Sequence, residues 1–94
     1  MKMKVKFYAT LRQIVGSKLV ESRLEPGDTV RSMLTRLVEQ FPALGPQVWD
    51  EGGQLASHVH VFVNGRELKY LPDKLDTPLR DNDSLDIFPP VAGG

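Results

Sequence analysis

The segment from Thr29 to Phe41 constrains the fold most, because it carries one helical stripe between segments whose residues alternate. Its apolar residues recur at intervals of three and four positions, which places them on one face of a helix. These residues are Val30, Met33, Leu34, Leu37, Val38 and Phe41. Thr29 is a suitable N-cap, and Phe41-Pro42 ends the helix. A helix that is apolar on one face needs a surface to cover, and the flanking segments must supply it.

Alternation of apolar and polar residues predicts strands on both sides of this helix. The predicted strands are Met3–Ala9, Leu19–Leu24, Val59–Val63, Arg66–Leu68 and Ser84–Phe88. In the first strand, the residues expected on the buried face are Met3, Val5, Phe7 and Ala9. The residues expected on its other face are Lys4, Lys6 and Tyr8. Together these strands predict a sheet with one face turned toward the helix.

Turn sequences separate the predicted elements. Pro26-Gly27-Asp28 precedes the helix, and Asn64-Gly65 is typical of a two-residue hairpin turn. Ala43 to His58 is expected to form a short helical turn followed by a loop. One helix on one face of a mixed sheet is a two-layer α+β fold. If the first and last strands pair at the centre of the sheet, this fold is a β-grasp.

Length and composition indicate a single domain over residues 1–94 and argue against several kinds of site. The 94 residues suffice for one core, and 12 basic against 12 acidic side chains leave no net charge. Balanced charge argues against general binding to nucleic acid or to an anionic membrane. The chain has no cysteine, which excludes disulfides, thiolate catalysis and cysteine-ligated zinc within it. No apolar run is long enough to span a membrane, so we expect a cytoplasmic protein.

The closing segment is expected to leave the fold as a flexible tail. It consists of Pro89, Pro90, Val91, Ala92, Gly93 and Gly94. The two prolines fix φ and lack an amide donor, so they end the hydrogen bonding of the last strand. The two glycines carry no side chain, so a terminal carboxylate behind them can enter a narrow active site of another protein. This tail is therefore a candidate functional segment.

Several sequence patterns together resemble the ubiquitin-like sulfur carriers. They are Phe7–Arg12, Gly27–Val30, Val61–Gly65, Thr77–Asp83 and Phe88–Gly94. The resemblance covers essentially the whole chain and is greatest to MoaD, the small subunit of molybdopterin synthase, which is related to the ThiS-type carriers. Members of that group typically end in Phe-Pro-Pro-Val-x-Gly-Gly. The segment Ala43–His58 is longer than in compact members and resembles longer archaeal and bacterial relatives.

This resemblance implies a carrier without an active site or a bound cofactor of its own. An E1-like adenylating enzyme would use ATP to adenylate the carboxylate of Gly94, and a sulfur donor enzyme would supply the sulfur that replaces AMP. The resulting thiocarboxylate would donate its sulfur, and the closing motif favours the molybdopterin precursor as acceptor, with the large synthase subunit as partner. The alternatives are a carrier for thiamine, cysteine or tRNA thiolation, and a ubiquitin-like modifier that is conjugated to lysines.

Two aromatic residues are predicted to contact partners. If Leu85 and Ile87 face the helix, Phe88 must face the other way, and Phe62 shares that outer face. Exposed aromatic side chains of this kind are typical of binding surfaces. We therefore predict that Phe62 and Phe88, together with the tail from Pro89, bind the partner proteins. The alternative is that the long middle segment covers both rings.

Other groups of polar residues do not indicate a site. His58 and His60 lie two apart on a predicted strand and could begin a metal site, but no third ligand is apparent nearby. Asp81, Asp83 and Asp86 lack the central glycine and closing glutamate of a calcium loop. No acid/base pair, catalytic triad or phosphate-binding glycine loop is recognisable. The sequence therefore predicts neither a metal site nor catalysis by this chain.

Overall fold

The computed structural model describes residues 1–89 of the chain. The strands are β1 Lys2–Phe7, β2 Leu19–Arg23, β3 His60–Val63, β4 Arg66–Glu67 and β5 Ser84–Phe88. The helices are α1 Thr10–Val15, α2 Val30–Gln40 and α3 Gly45–Val48. Short 3₁₀ turns cover Pro42–Leu44, Leu68–Tyr70 and Lys74–Asp76. Within residues 1–89, no helix has both the length and the apolar character that a membrane crossing requires.

The sheet has the strand order β2-β1-β5-β3-β4, so the first and last strands lie side by side at its centre. β1 and β5 are parallel, with Val5 opposite Leu85, and the other neighbouring strands are antiparallel. Asn64 and Gly65, with φ angles of 51° and 83°, form the predicted hairpin turn between β3 and β4. With α2 packed on one sheet face, the predicted ubiquitin-like β-grasp is confirmed.

The core lies between the sheet and α2. β1 is buried at every second residue, as the alternation predicts. The buried strand residues at the centre of the sheet are Met3, Val5, Phe7, Leu85 and Ile87, each at most 2% exposed. The helical stripe meets them with Val30, Met33, Leu34 and Leu37, each at most 1% exposed. The middle segment adds Leu44 and Val48 to the same cluster, and its short helical turn was predicted.

The end of the first strand differs from the prediction. β1 ends at Phe7, and Ala9 is exposed and not on the buried face. Ala9 has φ 54° and ψ −127°, a backbone conformation that ends an extended strand and that residues other than glycine rarely adopt. Helix α1 follows and buries Leu11; the strand pattern did not predict it. The available signal was the spacing of Leu11, Ile14 and Val15, which suits one face of a short helix.

Three other strands are each one residue shorter than predicted. β2 ends before Leu24, β3 begins after Val59, and β4 ends before Leu68. All three residues are buried, although they lie outside the strand ladders. Burial thus continues beyond the last paired residues of a strand. An apolar pattern therefore predicts which residues are in the core better than it predicts where a strand ends.

A buried carboxylate holds the turn before α2. Asp28 is 7% exposed, and its two oxygens accept hydrogen bonds from the guanidinium of Arg36 at 2.9 and 3.0 Å. The amide of Glu25 and the hydroxyl of Ser32 also donate to this carboxylate, at 2.8 and 2.9 Å. Thr29 is the predicted N-cap, since its hydroxyl accepts from the amide of Ser32. The hydrogen bonds from Arg36, helped by those from Glu25 and Ser32, lower the pKa of Asp28 to about 2.

We predict that Asp28→Asn destabilises the protein at neutral pH and removes part of the acid dependence of its unfolding free energy. Because the folded-state pKa of Asp28 is depressed, its stabilisation is complete above the usual value of 3.8 and is lost as the pH falls to about 2. The loss at neutral pH should be about 2 kcal/mol. Urea melts between about pH 7 and about pH 2 measure it, with the exposed Asp81→Asn as control. A wild-type acid dependence in Asp28→Asn would contradict this assignment.

Candidate functional site

Three aromatic side chains lie together on the sheet face opposite α2, and we call Tyr8, Phe62 and Phe88 the aromatic patch. The rings of Tyr8 and Phe88 are stacked, with centroids 4.0 Å apart and planes inclined by 8°. The ring of Phe62 meets that of Phe88 edge-on, at 5.5 Å and 79°. All three side chains are half-buried and lie outside the core cluster beneath α2. The structure thus brings Phe62 and Phe88 together, as strand parity predicts.

The register of β3 and β5 explains why these rings point away from α2. Ile87 pairs with Val61, and both are buried on the helix side. The next pair along the ladder, His60 with Phe88, must therefore face outward. Phe62 belongs to the same outer face, where it pairs with Asp86. The middle segment, which was the alternative cover for the rings, places its buried apolar residues in the core instead.

Tyr8 is the member of the patch that the sequence analysis did not select. Its backbone amide donates to the carbonyl of Ile87 at 3.2 Å, which continues the β1–β5 pairing past the end of β1. Its hydroxyl donates to Oδ1 of Asp86 at 2.9 Å. Alternation predicts that Tyr8 lies on the outer face, but its partners, Asp86 and Phe88, belong to β5 at the other end of the chain. Tyr8 can be assigned to the aromatic patch only when the pairing of β1 with β5 is known.

The acidic side chains around the patch are engaged by neighbours on the same face. The hydrogen bond to Asp86, followed by burial of the phenol, raises the pKa of Tyr8 above its usual value. Nδ1 of His60 and Oε2 of Glu67 are 2.6 Å apart, across the β3–β4 hairpin. The contact with Asp86 therefore holds the ring of Tyr8, and the contact with Glu67 holds the ring of His60. These two rings lie on either side of Phe88.

The fold places the beginning of the predicted tail beside the aromatic patch. Phe88 is the last residue of β5, and Pro89 follows it in a half-buried position. The other tail residues predicted to bind partners lie outside the described residues; they are Pro90, Val91, Ala92, Gly93 and Gly94. A protein that docks on the aromatic patch would therefore meet the chain where this segment starts.

The two histidines do not share a strand face, contrary to their spacing. His58 lies in a turn with φ 70°, and β3 begins only at His60, so the parity of a continuous strand does not apply. Both residues line a groove of about 570 Å³, whose apolar lining includes Leu68 and Leu75. The partner of His60 is Glu67. In the part of the chain up to Pro89, no three His, Asp or Glu side chains are grouped to hold a metal ion.

The acidic turn before β5 has a structural role. Asp83 accepts hydrogen bonds from the amide of Arg80 and from Nδ2 of Asn64, both at 2.8 Å. Oδ1 of Asn64 accepts in turn from the amide of Ser84 at 2.9 Å. These bonds tie the β3–β4 hairpin turn to the first residue of β5. Hydrogen bonding between the two turns therefore explains the presence of Asp83 in the acidic turn.

Comparison with known proteins gives consistent relatives. The ThiS family profile matches residues 5–94. The chain is 37% identical over 94 residues to small archaeal modifier protein 3 of Haloferax volcanii, and the match covers 100% of both chains. It is 30% identical over 70 residues to the sulfur carrier protein CysO of Mycobacterium tuberculosis, covering 72% of this chain and 74% of that one. Both modifiers and sulfur carriers are thus among the relatives.

The fold has a close counterpart among solved structures. The crystal structure of SAMP1 from Haloferax volcanii superposes with a TM-score of 0.88 at 33% sequence identity, and the match covers 100% of both chains. The match therefore runs past both ends of the middle segment, Ala43–His58.

We predict that the phenol of Tyr8 titrates above its usual pKa of 10.0, and that Asp86→Ala moves it back toward that value. The reason is that the carboxylate accepts a hydrogen bond only from the neutral phenol and repels the phenolate. Tyr8 and Tyr70 are the two tyrosines of the chain, so ultraviolet titration in a Tyr70→Phe background reports Tyr8 alone. Identical titration curves with and without Asp86→Ala would show that the hydrogen bond does not form in solution.

Proposed function

The chain belongs to the ThiS family of ubiquitin-like sulfur carriers, and from this membership we propose that its functional group is the carboxylate of Gly94. The observation that carries the proposal is the position of β5. This central strand ends at Phe88, inside the aromatic patch, and the sequence then runs directly to Gly93-Gly94. A protein that binds the patch is thus within reach of the closing glycines.

The chemistry requires activation by a partner. A carboxylate is a poor electrophile at neutral pH, so an E1-like adenylating enzyme first joins it to the α-phosphate of ATP with release of pyrophosphate. A nucleophile then attacks the acyl carbon, and AMP leaves. We propose that this chain is a co-substrate without an active site of its own, that it binds no cofactor, and that the partner holds the ATP. The contribution of this chain is to hold the start of the tail, at Pro89, in a fixed position relative to its docking surface.

Two fates of the activated carboxylate are open to such a protein, and the relatives support both. With sulfide equivalents from a sulfur donor enzyme as nucleophile, the product is a thiocarboxylate, as the similarity to CysO suggests. With a lysine amine as nucleophile, the product is an isopeptide bond, and the end-to-end similarity to a small archaeal modifier protein favours this fate. We propose that the shared acyl-adenylate supports modification of proteins as well as sulfur transfer.

A second candidate assigns the sulfur to one acceptor. The closing sequence from Phe88 to Gly94 has the form of the MoaD ending, which favours transfer to the molybdopterin precursor. In that case the large subunit of molybdopterin synthase would be a second partner for the same tail. Carriers for thiamine, cysteine or tRNA thiolation use the same thiocarboxylate, so the acceptor is distinguished by the product and not by the carrier chemistry.

The aromatic patch is the proposed docking surface for the adenylating enzyme. We predict that Phe88→Ala weakens binding to that enzyme by about thirtyfold or more, because a buried aromatic anchor typically contributes 2 kcal/mol or more. The matched control is Tyr70→Ala, which removes an aromatic ring that is 72% exposed and lies outside the patch. Calorimetry measures both affinities, and circular dichroism checks the fold. Equal affinities for the two variants would remove the patch from the interface.

The position of the terminal carboxylate tests the reaction itself. We predict that deletion of Gly94 abolishes adenylation, because it withdraws the carboxylate by up to about 3.5 Å, and displacement of about 1 Å can cost about a hundredfold in rate. Binding to the adenylating enzyme should persist, because the aromatic patch is unchanged.

Mass spectrometry on protein from its native host gives the readout for both fates, as the intact mass for the thiocarboxylate and as digested peptides for the conjugates. Wild-type protein should show replacement of one oxygen by sulfur, or branched peptides on target lysines, and the deletion variant should show neither. A deletion variant that acquires the thiocarboxylate at the normal rate would falsify the carrier mechanism.

A further inference from the structure

The outer face of the sheet has a second half that the aromatic patch does not use. β1 alternates between buried and exposed residues, so its lysines at positions 2, 4 and 6 all face away from α2 and are exposed. We call Lys2, Lys4 and Lys6 the lysine row. Strand geometry spaces alternate residues by roughly 7 Å. Because β1 lies directly beside β5, the lysine row adjoins the strand that carries Phe88.

The charged side chains of the two halves differ in whether they have partners within the chain. On the aromatic half, Asp86 accepts from the hydroxyl of Tyr8, and Glu67 is paired with His60. Asp86 is also the β5 neighbour of Lys6 in the register, yet its side chain is turned to Tyr8. Among the residues that the structure describes, the salt bridges within 4.0 Å include none to the lysine row. The row therefore presents cations that a partner can pair.

The neighbouring edge strand does not neutralise the row. The residues of β2 opposite it are Leu19, Glu21 and Arg23. One carboxylate thus faces three lysines, and Arg23 adds a further cation whose partner is Glu25. The chain as a whole has no net charge, so this half of the outer face is locally basic against a neutral average. Such asymmetry steers a charged partner without attracting anions to the whole surface.

We infer that the lysine row binds carboxylates on the protein that docks against the aromatic patch. This inference rests on the proposed function and describes its partner: a surface with an apolar socket for Phe88 and Phe62 and, beside it, acidic side chains along the direction of β1. The socket supplies affinity, whereas the acidic side chains speed association and fix the rotation of the carrier about Phe88. A fixed rotation matters because it sets the direction from which the tail enters the active site.

A protein surface fits the outer face better than a nucleic acid does. Single-stranded nucleic acids bind to lysines together with aromatic rings whose faces are open for stacking on bases. Here the rings of Tyr8 and Phe88 are stacked on each other at 4.0 Å, and Phe62 meets Phe88 edge-on. The stack occupies one face of Tyr8 and one face of Phe88, so fewer ring faces are open to bases, and the half-buried rings suit an apolar socket.

The test is the rate of association with the adenylating enzyme from the same organism, measured by stopped-flow fluorescence at about 0.1 M and about 1 M salt. The Debye length falls from about 10 Å to about 3 Å between these conditions, which screens steering charges. The double variant Lys4→Glu, Lys6→Glu should associate at least about tenfold more slowly than wild type at low salt, and its rate should no longer fall with salt. The matched control is Lys74→Glu, Arg80→Glu, which makes the same charge change at exposed positions outside the strands.

Each outcome decides a separate question. Wild-type association rates and salt dependence in the Lys4→Glu, Lys6→Glu variant would overturn the inference while leaving the carrier function intact. Equal losses in the control variant would show that net charge matters and the lysine row does not. Tight, lysine-dependent binding of a single-stranded oligonucleotide would replace the protein partner by a nucleic acid. Failure of the wild-type protein to bind the adenylating enzyme would overturn the proposed function and this inference with it.

Discussion

The parallel pairing of β1 with β5 is the contact on which the rest of the structure depends. It joins the two ends of the described chain at the centre of the sheet. Because the two strands are parallel, the intervening residues must cross from one end of the sheet to the other, and α2, which belongs to this crossover, covers one face of the sheet. Leu85 and Ile87 then complete the core beneath α2. On the other side of the same strand, Phe88 completes the aromatic patch, and Asp86 accepts a hydrogen bond from Tyr8. One strand therefore contributes to the core with one face and to the aromatic patch with the other.

The acidic and the basic side chains of the outer face have different surroundings. Its acidic side chains hold rings in place: Asp86 binds Tyr8, and Glu67 binds His60. The lysine row makes no salt bridge among the described residues. The reactive group proposed for the protein, the carboxylate of Gly94, follows five residues after Pro89 in the sequence. In the proposed function, docking on the outer face and reaction at this carboxylate belong to different parts of the chain, so different partners would bind one face and use one carboxylate.

Prediction from the sequence succeeded where the pattern is local and repeated. The buried stripe of α2, its cap at Thr29 and the whole of β5 follow from periodicity and turn chemistry alone. It failed where one residue changes the direction of the backbone. Ala9 and His58 both have positive φ, at 54° and 70°. In each case the predicted strand alternation included the residue, although the strand itself does not. The short helix α1 was missed for the same reason, because it begins directly after Ala9.

The same distinction between local sequence pattern and long-range contacts applies to the candidate site. The sequence by itself determined that Phe62, Phe88, Lys4 and Lys6 face outward, because side-chain direction follows from alternation along a single strand. It also contained the closing Gly93-Gly94 and the turn signals that separate the elements. Only the tertiary structure decided which outward residues become neighbours. Tyr8 stacks on Phe88 and hydrogen-bonds to Asp86 across a separation of 78 residues, and such contacts depend on which strands pair, a choice made by packing of the whole chain.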